Sequence, residues 1–135
     1  MANLKLAITL TAVSLHTFAA GANSTQLPPN SISTACAGAE QCKTDFAKTR
    51  AFIEQHSDMK VKSVDQDAII TYVPTNSGQV GLQAVLTREQ GQSQLITLTV
   101  HCQGYGDETD PQTRQVCDDR VEKIKRRFHE TIEQK

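Results

Sequence analysis

The chain has 135 residues, with 14 Lys and Arg against 15 Asp and Glu, a formal net charge of −1, 38% hydrophobic residues and no tryptophan. A near-neutral balance of this kind has no electrostatic footprint for DNA or RNA, and the length suits one domain with its own core.

Met1 to Lys5 form a short start with one positive charge, and Leu6 to Phe18 run apolar or small apart from Thr9, Thr11, Ser14, His16 and Thr17. Ala20-Gly21-Ala22 then offers small residues where a signal peptidase reads, so a cleavable export signal over residues 1–22 is expected, with cleavage before Asn23. The apolar run falls short of the ~20 residues that a membrane-spanning helix takes. Cys36 lies beyond the polar stretch Asn23 to Thr34, which argues against lipid attachment at the end of the signal. Of the 135 residues, removal of the first 22 leaves 113; Lys5 leaves with them and no acid does, so 13 basic residues face 15 acidic ones, a balance of −2. Residues 23–35, with Pro28-Pro29-Asn30 among Ser and Thr, read as a flexible leader to a single domain over 36–135. Asn23-Ser24-Thr25 is an N-glycosylation sequon, meaningful only in a host that glycosylates secreted chains.

From Ala39, the positions Cys42, Phe46, Thr49 and Ile53, flanked by Phe52, recur at steps of four, three and four, which predicts a helix ending near His56-Ser57-Asp58. Four strands follow: Met59 to Lys62, Ala68 to Val73 (stopped by Pro74), Val80 to Thr87, and Leu95 to Cys102. The last alternates most cleanly, with Ile96, Leu98, Val100 and Cys102 on one side and Leu95, Thr97, Thr99 and His101 on the other. A polar hairpin loop centred on Gly91 joins the third and fourth. Short connections favour an antiparallel meander. Asp110 as N-cap and Pro111 in the first turn then open a second helix, striped by Cys117, Val121, Ile124, Phe128 and Ile132. The expected class is α+β, a two-layer sandwich in the order α-β-β-β-β-α, with a four-stranded antiparallel sheet and both helices on one face.

Four cysteines behind an export signal read as two disulfides in an oxidising space, periplasmic or secreted. Their spacing of five, fifty-nine and fourteen intervening residues contains no C-x-x-C, so a zinc site has little support. Cys102 is in phase with the apolar side of its strand and Cys117 with the apolar stripe of its helix, which favours 102–117 together with a local 36–42 bond. The rival pairing joins Cys42 to Cys117.

Chemistry is sparse. Cys42 near a helix start would suit a thiolate nucleophile with His56 or His101 as base, but oxidation to a disulfide is the better account. No G-x-S-x-G elbow and no Gly-rich phosphate loop occurs. Asp107-Glu108-Thr109-Asp110 lacks the ligand spacing of a calcium loop. Lys123, Lys125, Arg126 and Arg127 are expected to be neutralised along the helix through Asp119–Lys123 and Glu122–Arg126. Thr97, Thr99 and His101, with Lys60 and Lys62 projecting to the same side, make an open polar face able to contact a partner.

These features predict a non-catalytic interaction protein of the envelope or the secreted space, such as an assembly factor, an inhibitor or an immunity-type partner. Its partner would be another envelope or secreted protein; no cofactor or metal, no nucleic acid and no membrane span in the mature form is expected. The alternatives are an enzyme using His101 or a free cysteine, and a binder of a small anion at Lys60, Lys62 and His101.

Overall fold

The computed structural model describes residues 26–88 and 93–134. The expected export signal, the sequon at Asn23 and most of the loop centred on Gly91 lie outside the described residues. The class is α+β: β1 (Ser31–Ala37), α1 (Gly38–His56), β2 (Val61–Val64), β3 (Ala68–Thr71), β4 (Val80–Arg88), β5 (Ser93–Cys102) and α2 (Pro111–Glu133). The sheet runs β1-β5-β4-β3-β2, with every neighbouring pair antiparallel.

The sheet therefore has five strands where four were expected. The extra one, β1, takes in the last five residues, 31–35, of the stretch read as a flexible leader, and its reason is a ladder of hydroxyls. Ser31 and Ser33 stand opposite Thr99 and Thr97 in register, with Oγ to Oγ1 distances of 2.9 and 2.6 Å. Cross-strand hydroxyl pairs stabilise a sheet in place of large apolar side chains. On the other side of the strand, Ile32 packs at the margin of the core and Cys36 is buried in it.

Gly38, at φ +74°, turns β1 into α1, a left-handed conformation that glycine adopts without a Cβ penalty. α1 buries Cys42, Asp45, Phe46, Thr49, Phe52 and Ile53. At its end the Ser57 N–H donates to the Ile53 carbonyl, and Ser57 Oγ accepts from the Met59 N–H. β2 lies two residues later than expected, and its pairing with β3 shifts register between Val61 and Ser63. β3 stops at Thr71 rather than Val73. There the Thr71 side chain replaces the backbone ladder: Oγ1 accepts the Leu82 N–H at 2.9 Å and donates to the Tyr72 carbonyl at 3.2 Å. Freed from the sheet, Tyr72 to Pro74 cross over Gly81, where an added Cβ would lie 2.9 Å from the Tyr72 oxygen.

α2 starts as its sequence dictates: Asp110 Oδ1 accepts the Thr113 N–H and Pro111 occupies the first turn. Its stripe of Cys117, Val121, Ile124, Phe128 and Ile132 is buried. One core gathers these residues with those of α1 and with Leu82, Ala84, Ile96, Leu98 and Val100 of the sheet. Phe52 meets Phe128 edge to face, with ring centroids 5.3 Å apart, and so locks the helices together.

Candidate functional site

The disulfides join Cys36 to Cys42 and Cys102 to Cys117. Each ties a strand to the helix that follows it, and all four cysteines are at most 8% exposed. No free cysteine remains, so neither Cys42 nor any other thiol is available as a nucleophile in this state.

The open sheet face divides into separate parts. Thr97 and Thr99 are engaged by the serines of β1. His101, further along β5, stands opposite Gly81 of β4 and is exposed. It borders a shallow depression of about 280 Å³ shared with Asn30, Val73, Pro74 and Tyr105, and none of the residues lining it is acidic. Asn30 Nδ2 donates to the Val100 carbonyl there at 2.9 Å. Close by, Tyr72 and Val73 are 53% and 76% exposed, a high value for apolar side chains.

Lys60 and Lys62 are elsewhere. Lys60 precedes β2, its carbonyl accepting the Tyr72 N–H, and Lys62 sits at the register shift of the β2 edge. Between β2 and β5 stand two other strands, so three steps of about 4.8 Å put these lysines about 14 Å from the His101 strand. The expected grouping of Lys60, Lys62 and His101 around one small anion is not formed.

Other charged groups are spent on structure. Asp58 receives both arms of the Arg120 guanidinium, at 2.8 and 3.1 Å, and the Val80 N–H at 2.8 Å. Arg120 also donates to the Gly78 carbonyl, so this cluster fastens the end of α1 and the start of β4 to α2. Asp107 accepts the N–H and the hydroxyl of Thr109, bonds that hold its pKa below the usual carboxylate range. Among the described residues, no three His, Cys, Asp or Glu side chains converge as metal ligands. The basic face of α2 differs from expectation: Glu122 pairs with Lys125, one turn away at i,i+3, rather than with Arg126. Lys125 also reaches the Pro29 carbonyl at 2.8 Å, which explains its preference. Lys123 and Arg127 instead border a cleft of about 140 Å³ with His56 and Arg120.

Asp45 is the site residue that sequence reasoning passed over. It is 5% exposed, and its ion pair with Lys48 is 3.7 Å long, beyond hydrogen-bond reach. Its position carried the signal: three residues after Cys42 and four before Thr49, it falls on the inward stripe of α1.

No protein-family model matches the sequence, and no curated protein shows significant similarity to it.

Proposed function

We propose that the chain is exported, loses its signal, and acts in the periplasm or the secreted space as a non-catalytic protein-interaction module: an assembly factor, an inhibitor or an immunity-type partner. The observation that carries this reading is the pair of disulfides, which commits every cysteine to scaffolding. Such bonds persist in oxidising compartments and are rare where thiols are kept reduced. The exposed Tyr72 and Val73 beside the His101 depression support a contact role, since aromatic and apolar side chains form the centre of protein interfaces. The described helices include none long and apolar enough to cross a membrane.

The test is recovery of a stable complex from crosslinked envelope extracts of the native host. The complex is expected to survive His101→Ala and to be lost with Val73→Asp. A catalytic function that disappears with His101→Ala would overturn the reading. Intact mass is expected to show a chain starting at Asn23 with four hydrogens fewer than the reduced form; four free thiols would remove the compartment from the proposal.

A further inference from the structure

We propose that the outer edge of β1 and the groove beneath it form a docking site for an extended polypeptide segment, which adds a sixth strand to the sheet and sets a Lys or Arg side chain against Asp45. This rests on the interaction reading and specifies the chemistry of the partner.

The two rims of the sheet are treated differently. β2 is four residues long, carries Lys62 and breaks register, all features that discourage pairing with another chain. β1 has none of them. It is seven residues of Ser-Ile-Ser-Thr-Ala-Cys-Ala, without charge, proline or bulge, in unbroken register with β5 from Ser31↔Thr99 to Ala37↔Ser93. On its far side no described strand pairs with it, so a row of backbone donors and acceptors faces outward, ready to receive a strand.

What lies beneath that rim selects a cation. Two adjoining depressions of about 440 and 450 Å³ share Gln41, Asp45 and Ile132, and residues 34–37 of β1 wall the first of them. A buried carboxylate normally holds hydrogen-bond donors, because desolvation without them is costly. Asp45 meets that need through the groove: among the described residues no fully buried side-chain oxygen lacks a partner, so its carboxylate opens onto the depressions it lines. Its ion pair with Lys48, at 3.7 Å, is shared with the Gln134 carbonyl. Glu40 and Glu133 stand at the rim of the same grooves. α2 ends there with no basic residue in its last turn, leaving the negative end of its dipole uncompensated by its own side chains. Alternate side chains of an added strand would point to the helix layer, as Ile32 and Cys36 do in β1, and one of these meets Asp45. The occupant is therefore a strand with a single basic residue at an inward position and uncharged neighbours.

The test uses the mature, disulfide-bonded protein labelled with ¹⁵N and a blocked heptapeptide, Thr-Val-Thr-Lys-Thr-Val-Thr. Saturable shifts are expected at the amides of Thr34 to Ala37 and of Gln41 to Asp45. Affinity is expected to fall at least ten-fold when the peptide lysine becomes glutamate, when alternate peptide amides are N-methylated, and in Asp45→Asn. Should Asp45→Asn fail to fold, the exposed pair Glu40→Lys and Glu133→Lys is expected to weaken binding several-fold in a folded protein. Shifts at β1 that depend on protein concentration without peptide would overturn the proposal in favour of self-pairing. Equal binding by N-acetyl-lysine amide would reduce it to a cation pocket. Absence of peptide binding, with a complex still recovered from envelope extracts, would sink the docking site alone. Loss of that complex altogether would sink the interaction reading.

Discussion

His56 stacks on Phe52 at the end of α1, with ring centroids 4.2 Å apart, and its neighbour two residues on, Asp58, is clasped by Arg120. Burial, followed by the charge of Arg127, holds the His56 pKa below 6.5. The unfolded chain therefore takes up this proton first, and stability falls as pH drops below 6.5 until the folded imidazole also protonates. At Asp58, burial pushes the pKa up. The Arg120 hydrogen bond, the Val80 N–H and the Arg120 charge together outweigh it and hold the value below 3.8. Its contribution is present above 3.8 and lost as pH falls through the folded value. Urea midpoints measured against pH are expected to decline in two stages, one below 6.5 and one below 3.8. His56→Gln should flatten the first. Arg120→Met should reduce the second without abolishing it, since Asp107 and Asp110 are also held below 3.8 by hydrogen bonds from Thr109 and Thr113. Thr71→Val tests a different residue. It leaves the buried Leu82 N–H without its acceptor, and a loss of about 1–3 kcal/mol is expected, with Thr71→Ser recovering most of it.

Among the elements, the helices were legible because large apolar side chains repeat along them. The same stripes carry Cys42 and Cys117, so strand and helix phase favoured Cys102 beside Cys117 over the rival 42–117 bond, and the favoured pair is the one formed. β1 was not legible: a polar run after Pro28-Pro29 reads as loop when only Ile32 is large and apolar. Its stability depends on Thr97 and Thr99, more than sixty residues away, and no local pattern contains that information. The faint signal was Ile32, Thr34 and Cys36 alternating with Ser31, Ser33 and Ala35. β3 ends before the stop expected at Pro74 because the Thr71 hydroxyl takes the Leu82 N–H in place of a backbone carbonyl. The disulfides should differ in worth. Loops of separation 15 and 6 correspond to about 3 and about 2 kcal/mol in the chain-entropy model. Replacing Cys102 and Cys117 together by Ala is thus expected to lower the urea midpoint more than replacing Cys36 and Cys42; the reverse order would contradict the model.

For the molecule as a whole, alternation along β5 placed His101 on the open face, but strand order decided its neighbours. The meander expected from the sequence already keeps its first and last strands two apart, as β2 and β5 are in the sheet, so grouping Lys60 and Lys62 with His101 overlooked strand order. At about 14 Å, Lys60 and Lys62 exceed a Debye length of about 8 Å at physiological salt. Lys62→Gln is therefore expected to leave any phosphate-induced shift at the His101 amide unchanged, as followed by ¹⁵N spectra; coupled titration would show the two regions acting as one site. Asp45 was hidden for the opposite reason. A lone acid in an apolar stripe is easily assigned to the solvated side, although its phase between Cys42 and Thr49 points inward, where it is 5% exposed.

The pairing of the first strand with the last has a consequence for how the chain is made. Ser31 meets Thr99, 68 positions further along, so a polypeptide threaded amino end first holds this segment single until nearly three quarters of its length has emerged. The short Cys36–Cys42 loop can close early in that interval, whereas the sheet is completed only on arrival of its distant mate, which leaves the β1 backbone unpaired until late in synthesis.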